Sequence, residues 1–190
     1  MSLSFLWEFV KRPGTIGAVA PSSAALARQM VAEIDMDAAD VIVEYGPGTG
    51  SFTTAILAHM KPEAKLFAIE YNPKMAAVFH ERFPDVMLFE DSVASVAELL
   101  ARQNLTHADC IISGLPWAAF DSDLQDRLMT ATLSILSPGG RFTTFAYLQG
   151  TLLPAGKRFR RKLYDCFTRV RTSPVVWWNL PPAFVYRCEK

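Results

Sequence analysis

The chain has 190 residues, 51% of them apolar, with 19 basic and 19 acidic side chains and a formal net charge of zero. A globular chain of that length suits one domain and buries roughly 70% of the surface its unfolded form exposes, so it needs no disulfide staples. The apolar content excludes a disordered chain, and the zero balance excludes a uniformly basic nucleic-acid binder. The charges are unevenly spread, however. Residues 1–150 carry 10 basic and 17 acidic side chains, a balance of −7, whereas residues 151–190 carry 9 basic and 2 acidic, a balance of +7. A basic end of this kind faces phosphate, on a membrane surface or a nucleic acid, or forms a solvated face against acidic neighbours.

Cys110, Cys166 and Cys188 are odd in number and form no C-x-x-C pair. That argues against a disulfide framework and a metal site, and predicts reduced thiols in a cytoplasmic setting. No stretch approaches the ~20 apolar residues of a bilayer span. The apolar run over 3–10 is short, contains Glu8, and is followed rather than preceded by Lys11 and Arg12, so it does not read as a signal peptide.

In chain order, residues 3–12 read as a short helix of bulky apolar residues, ended by Pro13-Gly14. Ser22-Ser23 caps a helix over 24–34. Residues 41–44 make a strand followed by a glycine cluster. A helix over 52–59, a strand over 66–70, a helix over 73–81 and a strand over 86–89 come next. Then follow a helix over 93–102, a strand over 108–113, a helix over 122–136 stopped by Pro138-Gly139-Gly140, and a strand over 141–147. Residues 166–172 and 183–187 are strands around a turn rich in Pro and Trp, expected to pair as an antiparallel hairpin. The alternation predicts parallel β-α-β units with both sheet faces covered, as runs such as Val41-Ile42-Val43 require. The expected organisation is an N-terminal helical extension and cap over 1–35 and one α/β domain over 36–190.

The motif that carries chemistry is Glu44-Tyr45-Gly46-Pro47-Gly48-Thr49-Gly50, between a strand and a helix. Glycines there permit a tight turn and let a ligand approach the backbone. Glu70 closes the next strand 20 residues after Gly50, where a carboxylate meets ribose hydroxyls. Asp91 follows the third strand, where a carboxylate accepts from an adenine amino group. Glu44 separates this pattern from dinucleotide sites: a carboxylate beside the loop repels a pyrophosphate and attracts a cationic ligand.

Taken together, Glu44-x-Gly46-x-Gly48-x-Gly50, Glu70, Asp91 and Leu136-Ser137-Pro138-Gly139-Gly140 resemble the ordered motifs of class I S-adenosylmethionine-dependent methyltransferases. The resemblance implies a three-layer Rossmann-like α/β fold, a mostly parallel seven-stranded sheet with an antiparallel last strand. It implies S-adenosylmethionine as cofactor, no metal, and Glu44, Gly46, Gly48, Gly50, Glu70, Asp91 and Ser113 as the residues that bind it. Ser113-Gly114-Leu115-Pro116-Trp117, after the fourth strand, resembles the catalytic loop of amino-methyltransferases, with Ser113 and Gly114 in place of the usual Asn-bearing start. The resemblance implies that this loop orients an amine and that the Trp117 ring packs on it. Tyr147, beyond the fifth strand, is expected to wall the site. Asn179-Leu180-Pro181-Pro182 superficially matches such a loop but is expected to be the turn between the last two strands. His59, His80 and His107 lie outside these motifs and are expected to face solvent.

The chain also resembles bacterial phospholipid N-methyltransferases of the phosphatidylethanolamine-methylating type. The likeness lies in Phe9-Val10-x-x-Pro13, Gly17-Ala18-Val19-Ala20-Pro21-Ser22-Ser23, the Ser113 loop, and Asn179 through Arg187. It implies methylation of a headgroup amine by an enzyme peripheral to the inner face of the membrane, docked by residues 3–12, whose composition suits an interfacial helix or an extra helix packed over the cofactor cleft. Lys157-Arg158-Phe159-Arg160-Arg161-Lys162 suits an anionic membrane surface or an RNA backbone. RNA adenine methylation is the first alternative, weakened by the ~40 residues after Tyr147, too few for the separate helical domain such enzymes usually carry. A non-catalytic S-adenosylmethionine-binding module is the second.

Overall fold

The computed structural model describes residues 22–190. The helix expected over 3–12, and the segment that follows it to Pro21, lie outside the described residues. Ser23 caps α1 (Ala24–Val31), its Oγ accepting from Leu26 N at 3.2 Å. Beyond it come β1 (Val41–Tyr45), α2 (Ser51–His59), β2 (Lys65–Ile69), α3 (Pro73–Arg82) and β3 (Met87–Phe89). They are followed by α4 (Val96–Ala101), β4 (Ala108–Ser113), α5 (Ser122–Ile135), β5 (Leu136–Tyr147), α6 (Pro154–Cys166), β6 (Arg169–Thr172) and β7 (Ala183–Glu189).

The strands form one seven-stranded sheet in the order β3-β2-β1-β4-β5-β7-β6. Pairings among β1 to β5 are parallel, and β7 runs antiparallel to both β5 and β6. This is the mostly parallel seven-stranded sheet that the resemblance implies, with the strand order reversing between β1 and β4. Ligands bind at such switch points, outside the carboxyl ends of the strands.

Alternation along β1 divides the core. Val43 and Tyr45 join Leu99 of α4, Leu128 of α5 and Phe159 of α6 in one layer, whereas Ile42 joins Met30 of α1, Ile56 of α2 and Phe79 of α3 in the other. Glu44 shares the α2 face with Ile42. In the described part of the stretch read as an N-terminal extension and cap, α1 buries Leu26, Ala27, Met30 and Val31 in the cluster that holds Ile42 and Ile56.

Three elements differ from the sequence expectation. The basic cluster lies on a full helix, α6, which ends only at Cys166, so β6 starts at Arg169. Phe159 and Leu163, four residues apart, give that helix its buried stripe and leave the basic residues outside. Pro138-Gly139-Gly140 does not precede β5 but lies within its first residues. There the register jumps from Ala108↔Leu136 to Cys110↔Arg141, an irregularity that Gly139 accommodates with φ 73°. Finally, α1 stops at Val31 because Ala32 turns to an extended ψ of 144°.

Candidate active site

The loop after β1 is fixed at both ends. Gly46 N donates to Ile69 O at 2.8 Å and Gly50 N to Pro47 O at 2.9 Å. Gly50, with φ 82°, starts α2 and lies under Phe83, whose ring a Cβ would meet at 2.0 Å. Gly48 differs. A Cβ there would meet nothing within 4 Å among the described residues.

Glu44 is fully buried beneath this loop. Its Oε2 accepts from Thr53 Oγ1 of α2 at 2.7 Å, while its Oε1 has no partner among the described residues. Burial raises its pKa to about 8, against the opposing Thr53 hydrogen bond. A buried acceptor without a donor is costly. It is what a site for an ammonium group leaves when the chain alone is considered, and it fits the aminoacyl end of S-adenosylmethionine.

Glu70 sits just past β2. Its Oε2 accepts from Gly48 N at 3.2 Å and its Oε1 from Asn72 N at 2.9 Å, joining the glycine loop to the cap of α3. Burial raises its pKa, and the backbone donors oppose that shift. Asp91 takes two bonds on Oδ1, from Ser92 N at 2.6 Å and Ser95 Oγ at 3.3 Å.

The Ser113 loop meets the glycine loop directly. Gly114 N donates to Tyr45 O at 2.7 Å, and a Cβ on Gly114 would stand 2.6 Å from Gly46 O. Leu115 closes over Gly46 from the other side, 2.9 Å from where a Gly46 Cβ would be. Only paired glycines let these two backbones cross so closely. Ser113 is fully buried, and its Oγ accepts from Trp117 Nε1 at 3.0 Å.

Trp117 corrects the expectation placed on it. Its ring is 2% exposed and stacks on Phe159 of α6 at 4.6 Å and 13°, with Phe142 edge-on. The ring is thus covered by core side chains, and its Nε1 ties it to the buried Ser113. Tyr147 is half-buried, edge-on to Phe145 at 5.2 Å, and Phe145 in turn meets Phe52 of α2. Burial raises the Tyr147 pKa, keeping the phenol neutral.

Sequence reasoning missed two supporting residues, Thr53 and Gln125, and the hydrogen bonds of a third, Asn179. Thr53 orients Glu44, Gln125 ties the Ser113 loop to α6, and Asn179 holds the β6–β7 connection. Gln125 Nε2 donates to Trp117 O at 2.8 Å and to Ala155 O at 3.2 Å. Asn179 Oδ1 accepts from Ser23 N at 3.0 Å. A polar residue on an otherwise apolar helical face is the signal for Thr53 and Gln125. For Asn179 the pairing partner is 156 residues away, and no local pattern reveals it. The Asn179 segment does lie between β6 and β7, and His59, His80 and His107 are exposed, as expected. Among the described residues no cluster of His, Cys, Asp or Glu has the arrangement to hold a metal ion, and no helix is long and apolar enough to cross a membrane.

No protein-family model matches the chain. It is 34% identical to the ornithine lipid N-methyltransferase of Singulisphaera acidiphila over 189 residues, 97% of this chain and 94% of that one. It is 32% identical to a dimethyladenosine transferase of Chaetomium thermophilum, but over only 78 residues, 41% of this chain and 20% of that one. Among solved structures, the O-methyltransferase from Bacillus cereus in complex with SAH superposes with a TM-score of 0.71 at 14% identity, covering 100% of this chain and 92% of that one.

Proposed function

Because the chain belongs to the class I S-adenosylmethionine-dependent methyltransferases, in the family of the ornithine lipid N-methyltransferase, we propose that its acceptor is the amine of a membrane lipid, first of all phosphatidylethanolamine. The lipid class rests on one observation, the likeness to a lipid N-methyltransferase along nearly the whole chain. The relative's own name favours a second reading of the headgroup, an ornithine lipid.

The cofactor supplies a methyl group made electrophilic by its sulfonium. The chain's residues do the rest by binding, orienting and excluding water. Glu44 takes the ammonium group on its unpartnered Oε1, with Thr53 fixing the carboxylate. Gly46, Gly48 and Gly50 would give the backbone surface for the cofactor, Glu70 would hold the ribose and Asp91 the adenine. The Ser113-Gly114-Leu115-Pro116 loop, pressed on Gly46, brings the acceptor amine beside the cofactor loop. The amine must reach this loop neutral, its proton passing to water. Tyr147, neutral through burial, borders the acceptor as a hydrogen-bonding wall rather than a base. The exposed basic residues of α6 face the anionic membrane surface on which the enzyme works from the cytoplasmic side.

Vesicles that each carry one aminolipid, incubated with methyl-labelled S-adenosylmethionine, test the reading. Label in the phosphatidylethanolamine vesicles supports the first headgroup and label only in ornithine lipid vesicles the second. Label in neither would refute the lipid-amine acceptor.

A further inference from the structure

The β6–β7 connection exposes Trp177 (65%), Trp178 (90%) and Leu180 (74%). Beside it, the β5–α6 connection exposes Leu152 (74%) and Leu153 (51%). The two connections leave the sheet together, since Tyr147 pairs with Ala183 and Leu148 N donates to Pro182 O at 2.9 Å. Both stand at the carboxyl ends of the parallel strands, the edge that carries the glycine loop and the Ser113 loop.

The apolar display is built, not loose. Asn179, only 4% exposed, lies between Trp178 and Leu180 and holds the turn from within. Its Oδ1 accepts from Ser23 N at 3.0 Å and its Nδ2 donates to Pro181 O at 2.8 Å. Fixing the backbone at Asn179 turns the flanking side chains outward. Large apolar side chains held in water on an ordered loop mark a contact surface.

Charge identifies the partner. Directly after Leu153, α6 exposes Lys157, Arg158, Arg160 and Arg161, whereas Lys162 is paired with Asp126. Indole rings favour the headgroup level of a bilayer, and the cationic helix that starts after Leu153 favours anionic lipids. We propose that Trp177, Trp178 and Leu180 insert into the interfacial zone of an anionic bilayer while the basic face of α6 lies on its headgroups. This rests on the lipid-amine reading only for its consequence: the site mouth faces the bilayer, and a headgroup reaches the Ser113 loop without its lipid leaving the membrane.

Docking is tested apart from catalysis. The full chain carrying Trp7→Phe is mixed with vesicles of phosphatidylcholine and phosphatidylglycerol, neither of which offers a primary amine. With brominated acyl chains, the fluorescence of the loop indoles should be quenched, the core-buried Trp117 being shielded. Adding Trp177→Ser and Trp178→Ser should remove that quenching and weaken vesicle co-sedimentation about tenfold or more, with melting temperature and S-adenosylmethionine affinity unchanged. Unquenched indoles with vesicle binding intact would overturn the proposal, placing the loop under residues 1–21 or a protein partner. Wild-type binding by the double serine variant, or retention on RNA without vesicle binding, would overturn it as well. Docking without lipid methylation would instead count against the lipid-amine acceptor alone.

Discussion

Replacing Glu44 by Gln separates the stability role of this carboxyl from its binding role. The group is fully buried, and its pKa rises from 4.5 to about 8. At about 1.4 kcal/mol per pKa unit, that shift is a linkage of about 5 kcal/mol. The folded pKa is raised, so the associated stability is fully present below about pH 4.5 and lost as pH rises through about 8. The unliganded wild type should therefore lose stability to urea across that window, and Glu44→Gln should not. At pH 9 the variant should be the more stable of the two, by several kcal/mol at most. Ligand binding runs the other way. An ammonium group needs the carboxylate, so near pH 7 binding of S-adenosylmethionine should release a proton from this carboxyl. Between about pH 5 and 7 its affinity should rise nearly tenfold per pH unit. The variant should lose that dependence and bind about a hundredfold or more weaker, as expected when one partner of a buried ion pair is removed. Calorimetry in buffers of different ionisation enthalpy reads the proton release. Wild-type affinity in Glu44→Gln, or a flat pH dependence in the native chain, would refute the assignment of Oε1 to the cofactor's ammonium.

Three further outcomes follow from the loops and the core. Gly48→Asp fills the open face of the glycine loop, at φ 55°, with a side chain and a charge; equilibrium dialysis should show S-adenosylmethionine binding abolished. Gly114→Ala brings a Cβ to 2.6 Å from Gly46 O, so the two loops must separate. Stability should fall by about 1–3 kcal/mol, and kcat should fall more than cofactor affinity, which steady-state kinetics resolves. Arg187 donates to Glu33 Oε1 at 2.9 Å and to Gln29 O and Oε1 at 3.0 and 2.8 Å, fastening α1 to β7. Arg187→Ala should cost about 2–4 kcal/mol in urea unfolding without changing the amine acceptor.

Most of the sheet was legible because its parallel strands are short, apolar and separated by helix-length segments with clear stops. Residues 108–113 match β4 to the residue, and the antiparallel end was visible in the short Pro- and Trp-rich link before β7. α6 was not, since its five basic residues between 157 and 162 mask the Phe159–Leu163 stripe that makes it a helix. The glycine loop, Glu44, Glu70 and Asp91 stood out by type and order. What hid was three-dimensional: a serine-loop aromatic suggests an exposed ring, but α6 and its Phe159 cover Trp117. The same reason hid the hydrogen bond of Asn179, whose partner comes from the start of the described chain.

The central claim is that the methyl group ends on a lipid amine. One reaction containing the full chain, labelled S-adenosylmethionine, total bacterial lipid and total RNA, followed by organic extraction, tests it most directly. The account predicts label in the organic phase, in a product that comigrates with an N-methylated aminolipid. Label confined to the RNA would contradict it.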